Sequence, residues 1–430
     1  MKKSSAGSLI VGLFLSIIGT VSLNAQTTRV NSPYTLFGIG TLNNTNLNAR
    51  SISMGGIKYG WQEASLVNPA NPASYAAFDS TSFVFEAAIS GSLANLKSNE
   101  LSESTQSASL RYLTFGFPVT HWWKSSFGLL PFSSVGYNVT QDEMTDHFGL
   151  TRYTNDGSGG FNQVYWGNAI KITRNFSLGF NATYVFGTID RGLTMSFPDS
   201  AGYFSTRVRN SVTASDFIFD YGAQYTQPLK KDMDVTFGLS FSNTTNLSAE
   251  KQNLVRSFYG SNNNVLYIRD TIVNESGVKG DIVIPLAVGG GFVFKKYDKW
   301  LAGADVSWQK WEEFRQFGVS DSLSNRLSFS LGAEYIPDKY SIFSYWERVS
   351  YRLGFKYSNS YLKLKGNQLK EFGISFGFGF PVWRSRSTLN VGFELGRWGT
   401  TKDDLIQENY FKFIFAVNIF ENWFIKPKYR

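Results

Sequence analysis

Hydrophobic side chains occur at every second position through much of the chain after Phe83. In the clearest segment, 372–380, phenylalanine and isoleucine take the even positions, while Gly373 and Ser375 are among the small residues at the odd ones. Successive side chains of a β-strand point to opposite faces, so such a segment has one apolar and one small or polar face. Further segments share the pattern: 235–241, 389–395 and 411–419.

The spacing of these segments predicts a membrane barrel. About fourteen strands of roughly ten residues alternate between tight turns and longer polar connections, as in outer-membrane barrels. The long connections are predicted at 94–106, 140–160, 247–277 and 399–408. A secreted soluble sandwich is the alternative, but it would rarely expose such continuous phenylalanine stripes. The predicted fold class is all-β, an antiparallel up-and-down transmembrane barrel with an N-terminal hatch (plug) in its lumen.

The N-terminus predicts export. Lys2 and Lys3 precede an apolar run over 9–23, and Ala25 offers a small residue for cleavage, as in a Sec signal peptide. The predicted organisation is therefore a cleaved signal over 1–25, a hatch over 26–79, a barrel over 80–420 and a periplasmic tail over 421–430. The expected location is the bacterial outer membrane, in contact with its lipids.

Aromatic residues gather near the predicted strand ends, where outer-membrane barrels carry aromatic girdles. The tryptophans assigned to these girdles are Trp122, Trp123, Trp300, Trp308 and Trp311.

If the apolar stripes face lipid, charged residues at the alternating positions face the lumen, since charge on the lipid side is costly. The predicted lumenal set is Glu86, Asp216, Asp220, Asp305, Glu334, Arg352, Lys356 and Glu394. Both signs are present, which favours a lumenal salt-bridge network. The alternative is that some of these side chains hold a plug or line a path.

Composition excludes several kinds of chemistry. The 430 residues include no cysteine and 2 histidines, which rules out thiolate and multi-histidine metal sites. His121 and His147 have no neighbouring nucleophile motif, so neither an enzyme nor a cofactor is predicted. The net charge of +8 includes two signal-peptide lysines and forms no basic stripe, so nucleic acid is not an expected partner.

The segment 26–79 lacks alternation and is rich in glycine and proline, which suits close packing and turns. Its motif residues are Gly55, Gly56, Asn68, Pro69 and Ala70, within the runs 49–56 and 64–73. These runs resemble the start of the FadL/TodX family of outer-membrane transport proteins. The resemblance implies a fourteen-stranded barrel plugged by an N-terminal hatch with an Asn-Pro-Ala motif. It further implies passage of small hydrophobic molecules, such as fatty acids or hydrocarbons.

The resemblance also implies a lateral opening at a kink in the third strand. The third strand here contains Pro131, and proline removes a ladder donor. The gate candidates are Leu129, Leu130, Pro131 and Phe132, with Pro285 as a second weak point in the wall. An ordinary bulge without transport is the alternative.

Two functions stay open. A transporter needs an apolar cavity connected to a wall opening. FadL-like barrels also occur as accessory subunits of outer-membrane protein insertion or secretion complexes, and such a subunit would have a filled lumen and protein partners. The basic ligand-pocket residue usual in the family has no clear counterpart, and Arg352 and Lys356 are candidates by alternation alone.

Overall fold

The computed structural model describes residues 31–42, 48–200, 202–230, 232–259, 267–321 and 323–423. The expected signal peptide and most of the expected C-terminal tail lie outside these ranges. Within them, no helix is long and apolar enough to cross a membrane.

Strands dominate the described chain. They are β1 (Thr41–Leu42), β2 (Ser82–Lys97), β3 (Ser102–Pro118), β4 (Trp123–Pro131), β5 (Ser133–Thr145), β6 (Gly149–Lys171), β7 (Phe176–Ser196), β8 (Ser205–Lys230), β9 (Met233–Ser242), β10 (Thr245–Tyr259), β11 (Tyr267–Ile284), β12 (Ala287–Lys296), β13 (Trp300–Gln309), β14 (Arg315–Gln316), β15 (Arg326–Tyr335), β16 (Ser350–Leu364), β17 (Asn367–Pro381), β18 (Thr388–Gly399) and β19 (Gln407–Asn422). Among the described residues, the one α-helix, α1, is Ala49–Ile52, and 3-10 helices lie at Pro33–Leu36, Pro72–Ala77, Trp311–Glu313, Trp346–Arg348 and Lys402–Asp404.

The strands form a closed antiparallel barrel, as the sequence predicts. Three wall strands are interrupted, and each consists of two consecutive segments. The segments are β4 and β5, which both pair with β6; β9 and β10, which both pair with β8; and β11 and β12, which pair with β10 and β9. Counted as single wall strands, and without the two-residue β1 and β14, they give fourteen strands. The last wall strand, β19, pairs with the first wall strand, β2, from Gln407–Lys97 to Asn422–Ser82. Closure pairs the backbone groups that lipid could not hydrogen-bond.

The two faces of the wall are those that the alternation predicts. Phe237 and Leu239 of β9 are 51% and 64% exposed on the outer face. Gly238, between them, faces the lumen, where the backbone of Tyr59 lies against it. Aromatic and aliphatic side chains therefore cover the outside, and small residues leave room inside.

The barrel has two unlike ends. Both ends of the wall, at Ser82 and Asn422, lie at the end with the shorter turns, here called the short-turn end. At the opposite, long-hairpin end, the predicted loops at 94–106, 140–160 and 247–277 are wrong for most of their length. β5 and β6 pair as far as Thr145–Gly149, and β10 pairs with β11 from Thr245 onward. Backbone ladder bonds extend these hairpins without the alternating apolar residues that mark a buried or lipid-facing strand.

Trp311 does not lie in the outer aromatic girdle, where the sequence predicts it. It is 1% exposed, and its ring packs against Tyr361 with centroids 4.7 Å apart. β13 ends at Gln309, and the chain then turns inward through the 3-10 helix. The alternation that places Trp308 on the outer face, at 37% exposure, no longer applies after that turn.

The described residues 31–42 and 48–79, called the hatch below, pack against the inner face of the wall. The 3-10 helix Pro72–Ala77 contacts β4, β6, β7 and β8, while α1 contacts β17, β18 and β19 across the lumen. The Asn48 side chain caps α1 by accepting a hydrogen bond from the Ser51 amide at 2.8 Å. Trp61 and Tyr75 of the hatch are fully buried. The lumen is thus filled by chain at its short-turn end.

Candidate functional site

Glycines of the wall provide the space that the hatch occupies. A Cβ atom on Gly238 would lie 1.8 Å from the carbonyl oxygen of Tyr59. A Cβ on Gly354 would lie 2.0 Å from the amide nitrogen of Gly55. In both places hatch backbone approaches wall backbone, so only glycine fits, and the lumen-facing glycines therefore fix where the hatch lies.

The Asn-Pro-Ala motif holds the hatch in shape. The Asn68 side-chain amide donates to the carbonyl oxygens of Lys58 at 2.7 Å and Trp61 at 3.0 Å. The carbonyl oxygen of Pro69 accepts a hydrogen bond from the Asn181 side chain of β7 at 2.9 Å. Ala70 lies on the lumenal cavity described below. The motif therefore links two turns of the hatch to each other and to the wall.

The Gly55–Gly56 turn is the second motif. Both residues have positive φ, 68° and 92°, which favours glycine. The Gly55 amide donates to the hydroxyl of Ser375 in β17 at 2.8 Å. The turn therefore anchors the hatch to the wall on the side opposite Asn181.

A buried ion network joins the hatch to the wall. Arg50 Nη2 lies 2.7 Å from Glu63 Oε2, and 3.5 Å from Glu334 Oε2 on β15. The same Glu334 oxygen accepts from Arg352 Nε at 2.6 Å, and Arg352 Nη1 donates to the Asn390 side chain at 2.9 Å. Buried charges need such partners, because desolvation is costly. Sequence reasoning placed Glu334 and Arg352 in the lumen, but missed both hatch partners.

Glu63 is charged in this setting. Burial alone raises the pKa of the Glu63 carboxyl, but the Arg50 guanidinium, together with Lys295 and Lys339, outweighs it and lowers that pKa to about 2. The Arg50–Glu63 pair is therefore ionised across the physiological pH range.

Two further predicted carboxylates hold hatch backbone. Asp305 Oδ2 accepts from the amides of Lys58 at 2.5 Å and Tyr59 at 3.0 Å. Glu86 Oε1 accepts from the Asn418 side chain at 2.6 Å and from the Val67 amide at 3.4 Å. Both are under 10% exposed. These contacts match the alternative in which lumenal charges hold a plug.

Lys356 and Glu394 belong to a separate cluster, on the side of the hatch that faces the long-hairpin end. Lys356 Nζ lies 2.8 Å from both Glu394 Oε1 and Glu371 Oε1, and the Tyr410 hydroxyl donates to Glu371 at 2.8 Å. Lys412 extends the cluster at 3.9 Å from Glu394. Alternation could have found three of these, because Glu371, Tyr410 and Lys412 have the same parity as inward-facing neighbours.

This cluster borders a lumenal cavity of about 360 Å³. The part of its lining that comes from β2 and β3 is polar: Ser90, Ser92, Thr105, Ser107, Ser109 and Arg111. Buried apolar residues such as Phe132, Ile218 and Ile414 line other parts. The cavity is therefore of mixed polarity, and its β3 side is rich in hydroxyl groups.

The remaining predicted residues lie apart from these clusters. Asp220 accepts a hydrogen bond from the Ser242 hydroxyl at the cavity wall, and Pro285 lines the same cavity between β11 and β12. Asp216 accepts from the Ser248 amide at 3.1 Å, where β8 faces the interruption between β9 and β10. Asp216 thus bridges two wall strands and joins neither ion cluster.

The wall is interrupted next to Pro131. β3 pairs with β4 only from Leu113–Leu129 to Pro118–Lys124, so within the described chain residues 102–112 of β3 have no strand partner on that side. β6 pairs with Pro131 at Asn162 and with Val135 at Gly159, which shifts the register by a bulge.

The gate candidates lie at this interruption. Leu129 is 37% exposed on the outer face, Leu130 and Phe132 are buried, and Pro131 ends β4. Phe132 packs in the cluster that contains Tyr34 of the hatch. Their role as a gate stays a prediction.

The hatch occupies the gap beside β5. The Ser32 amide donates to the Gly136 carbonyl at 2.8 Å, and the Gly136 amide donates to the Thr35 hydroxyl at 3.1 Å. β1 pairs with β5 through Thr41–Ser134 and Leu42–Ser133. On the other side of the gap, the Thr105 hydroxyl of β3 donates to the Asn31 carbonyl at 3.3 Å. Hatch backbone therefore takes hydrogen bonds that a neighbouring wall strand would otherwise make.

Comparison with known sequences decides the family. The sequence model of the BamG family matches residues 8–430. The chain belongs to the BamG family. Among curated proteins, no sequence matches it.

Solved structures similar to this BamG family member are FadL-type barrels, as the sequence resemblance implies. The toluene transporter TodX of Pseudomonas putida is 16% identical with a TM-score of 0.59, covering 88% of this chain and 98% of its own. A FadL homologue of Pseudomonas aeruginosa is 12% identical at 0.58, covering 90% and 99%. The toluene transporter TbuX of Ralstonia pickettii is 13% identical at 0.55, covering 88% and 99%. At these identities the likeness establishes the fold alone.

Proposed function

We propose that this BamG family member is a non-transporting accessory subunit of an outer-membrane protein insertion or secretion complex. In this proposal it reaches the outer membrane by Sec export, catalyses no reaction, and points its short-turn end toward the periplasm, as barrels of this class do. The observation that carries the proposal is the occupied wall gap, where residues 31–42 bond to β5 and Asn31 meets β3.

The lumen supports the same proposal. A hydrophobic solute that entered through the gap would meet the serines of β3 and the Arg111 guanidinium before it reached apolar lining. Below the cavity, the ion network of Arg50 with Glu63 and Glu334 fixes the hatch to the wall. A plug held by buried charge pairs suits a structural barrel.

Purification of the affinity-tagged protein in mild detergent, followed by mass spectrometry, tests the proposal. We expect a stable complex with other outer-membrane proteins of insertion or secretion machinery. This complex should not dissociate when it is washed at moderate salt. An unrelated tagged barrel, expressed at the same level, is the control for detergent carry-over. A lone barrel carrying bound lipid or hydrocarbon would contradict the proposal.

Transport of small hydrophobic molecules is the second candidate, because the wall is interrupted at Pro131 and β3 has an unpaired edge there. Changing Pro131→Val restores a ladder donor at the end of β4. Under the proposed function, uptake of radiolabelled toluene by cells stays at the level of a strain that lacks the protein, with or without this change.

Pro118→Val, at the end of β3 away from the gap, is the matched control. Uptake that exceeds the deletion strain, and that falls with Pro131→Val but not with Pro118→Val, would establish transport instead.

A further inference from the structure

The short-turn end of the barrel opens into a second cavity of about 440 Å³. Its floor is the hatch, from Gly60 to Ala64 and at Ala76 and Ala77. Its rim comes from the short turns and from the ends of the strands that they join. We call this cavity the mouth. It is separate from the cavity above the hatch.

The carboxylates of the mouth already have partners. Four line it, of which Glu63 and Glu334 belong to the ion network of Arg50. Asp298 accepts from Lys339 Nζ at 2.6 Å and from the Tyr340 hydroxyl at 2.8 Å. Asp234 accepts from the Tyr297 hydroxyl. Within the described chain, Asp234 is therefore the one lining carboxylate without a cationic partner.

Cations are in excess in the same place. Seven lysine and arginine residues line the mouth, and two of them have carboxylate partners: Lys339 with Asp298, and Arg386 with Asp79 at 2.5 Å. The other five form no ion pair with any described residue: Lys171, Arg174, Lys295, Lys296 and Lys299. These five cations outnumber Asp234, the one lining carboxylate without a cationic partner, and such an excess of positive charge attracts an anionic partner.

Lys295 faces inward, into the mouth. Lys295 lies two positions from Val293, which is buried on the lumenal face of β12. Together with Lys339, it helps to lower the pKa of Glu63 in the hatch, so its ammonium group lies near the floor of the mouth. Bilayer lipid meets the outer face of the wall, and headgroups at the rim would not reach such a position. The basic tail sequence, with Lys426 and Lys428, would be repelled from it.

We propose that the mouth binds an acidic peptide segment of a periplasmic partner protein. This inference rests on the proposed function and names the surface by which the subunit contacts its complex. An extended segment with several Asp or Glu residues fits a cavity of this volume, and its carboxylates would pair with the lysines and arginine that face the mouth. Charge complementarity of this kind raises association rate and partner selectivity.

Fluorescence anisotropy on the full-length protein in a neutral detergent tests the inference. The probe is fluorescein-labelled decaglutamate, with a Gly-Ser peptide of equal length as the neutral comparison. We expect decaglutamate alone to bind, with affinity that falls as salt rises. The triple variant Lys171→Gln, Arg174→Gln and Lys299→Gln should bind it about tenfold more weakly, since three lost exposed pairs of about 0.5 kcal/mol each together amount to about that factor.

The matched control removes three exposed lysines from the long-hairpin end, Lys279→Gln, Lys363→Gln and Lys370→Gln, and should leave binding unchanged. Equal loss in both triple variants, or no decaglutamate binding, would overturn the inference. Displacement of the probe by micelles of short-chain phosphatidylglycerol, dependent on the same mouth residues, would also overturn it by making lipid the ligand. If the purified complex stays intact in the mouth variant, the inference fails while the proposed function stands.

Discussion

Replacing Arg50 by leucine should release the hatch from the wall. The change strips Glu63 of its 2.7 Å partner and leaves Glu334 with Arg352 alone. Removing one member of a buried charge network costs about 3–5 kcal/mol, because the remaining charge is buried without compensation. The free energy that separates the docked from the undocked hatch should fall by about that amount.

A single introduced thiol can report this release, because the chain has no cysteine of its own. Ser74→Cys places a near-isosteric thiol in the hatch at a position that is 1% exposed. If labelling by a maleimide follows hatch opening, a loss of about 3 kcal/mol should raise its rate by about 100-fold.

Arg152→Leu is the control for the Arg50 prediction. It breaks an exposed ion pair of the same 2.7 Å length, with Asp142 on the β5–β6 hairpin, and should leave labelling unchanged. Equal labelling rates in the Arg50 variant and this control would show that the hatch does not depend on the ion network.

The sequence predicts the barrel well because every wall strand repeats one local rule. Alternation assigns Glu334, Arg352 and Lys356 to the lumen from their nearest neighbours alone, and the structure places all three there. The same rule, applied further, would have added Glu371 and Lys412. Residue parity is a local property of a strand, so it can be read without knowing which strands meet.

The partners of these charges could not be predicted in this way. Arg50 and Glu334 are separated by 284 positions, and their contact depends on how an aperiodic segment folds inside the closed wall. The predictions of an outward-facing Trp311 and of a loop around Thr145 are wrong for a related reason. Alternation reports burial or lipid contact, and these features depend on backbone pairing and chain direction instead.

The sequence also could not predict that the hatch occupies the wall gap. Pro131 correctly suggests a weakened strand, but nothing local shows that Ser32 and Thr35 bond to Gly136, or that β1 pairs with β5. An interrupted strand does not imply an open gate. A proline removes one ladder donor, and the remaining backbone groups of the wall can still form hydrogen bonds with chain inside the barrel.

Adding one methyl group at Gly238 should open the lumen. The Cβ of Gly238→Ala would lie 1.8 Å from the Tyr59 carbonyl oxygen and 2.8 Å from the Gly60 amide nitrogen. Both are backbone atoms, so no rotamer change relieves the clash, and the hatch must move. We expect planar-bilayer recordings to show stable ion conductance for the variant and little or none for the natural protein, because the hatch fills the lumen at the short-turn end.

Gly290→Ala is the matched control, because Gly290 pairs with Leu239, the residue next to Gly238. Its Cβ would lie 2.9 Å from the flexible end of the Leu239 side chain and at an ordinary 3.5 Å from the Gly238 carbonyl oxygen. That variant should remain closed. Gly354→Ala, whose Cβ would lie 2.0 Å from the Gly55 amide nitrogen, should conduct like Gly238→Ala even though it lies elsewhere on the wall. Heat-modifiable gel migration confirms that each barrel is folded. Folded variants at both glycines that stay closed would mean that the hatch tolerates displacement without opening a path, and that the ion network alone seals the barrel.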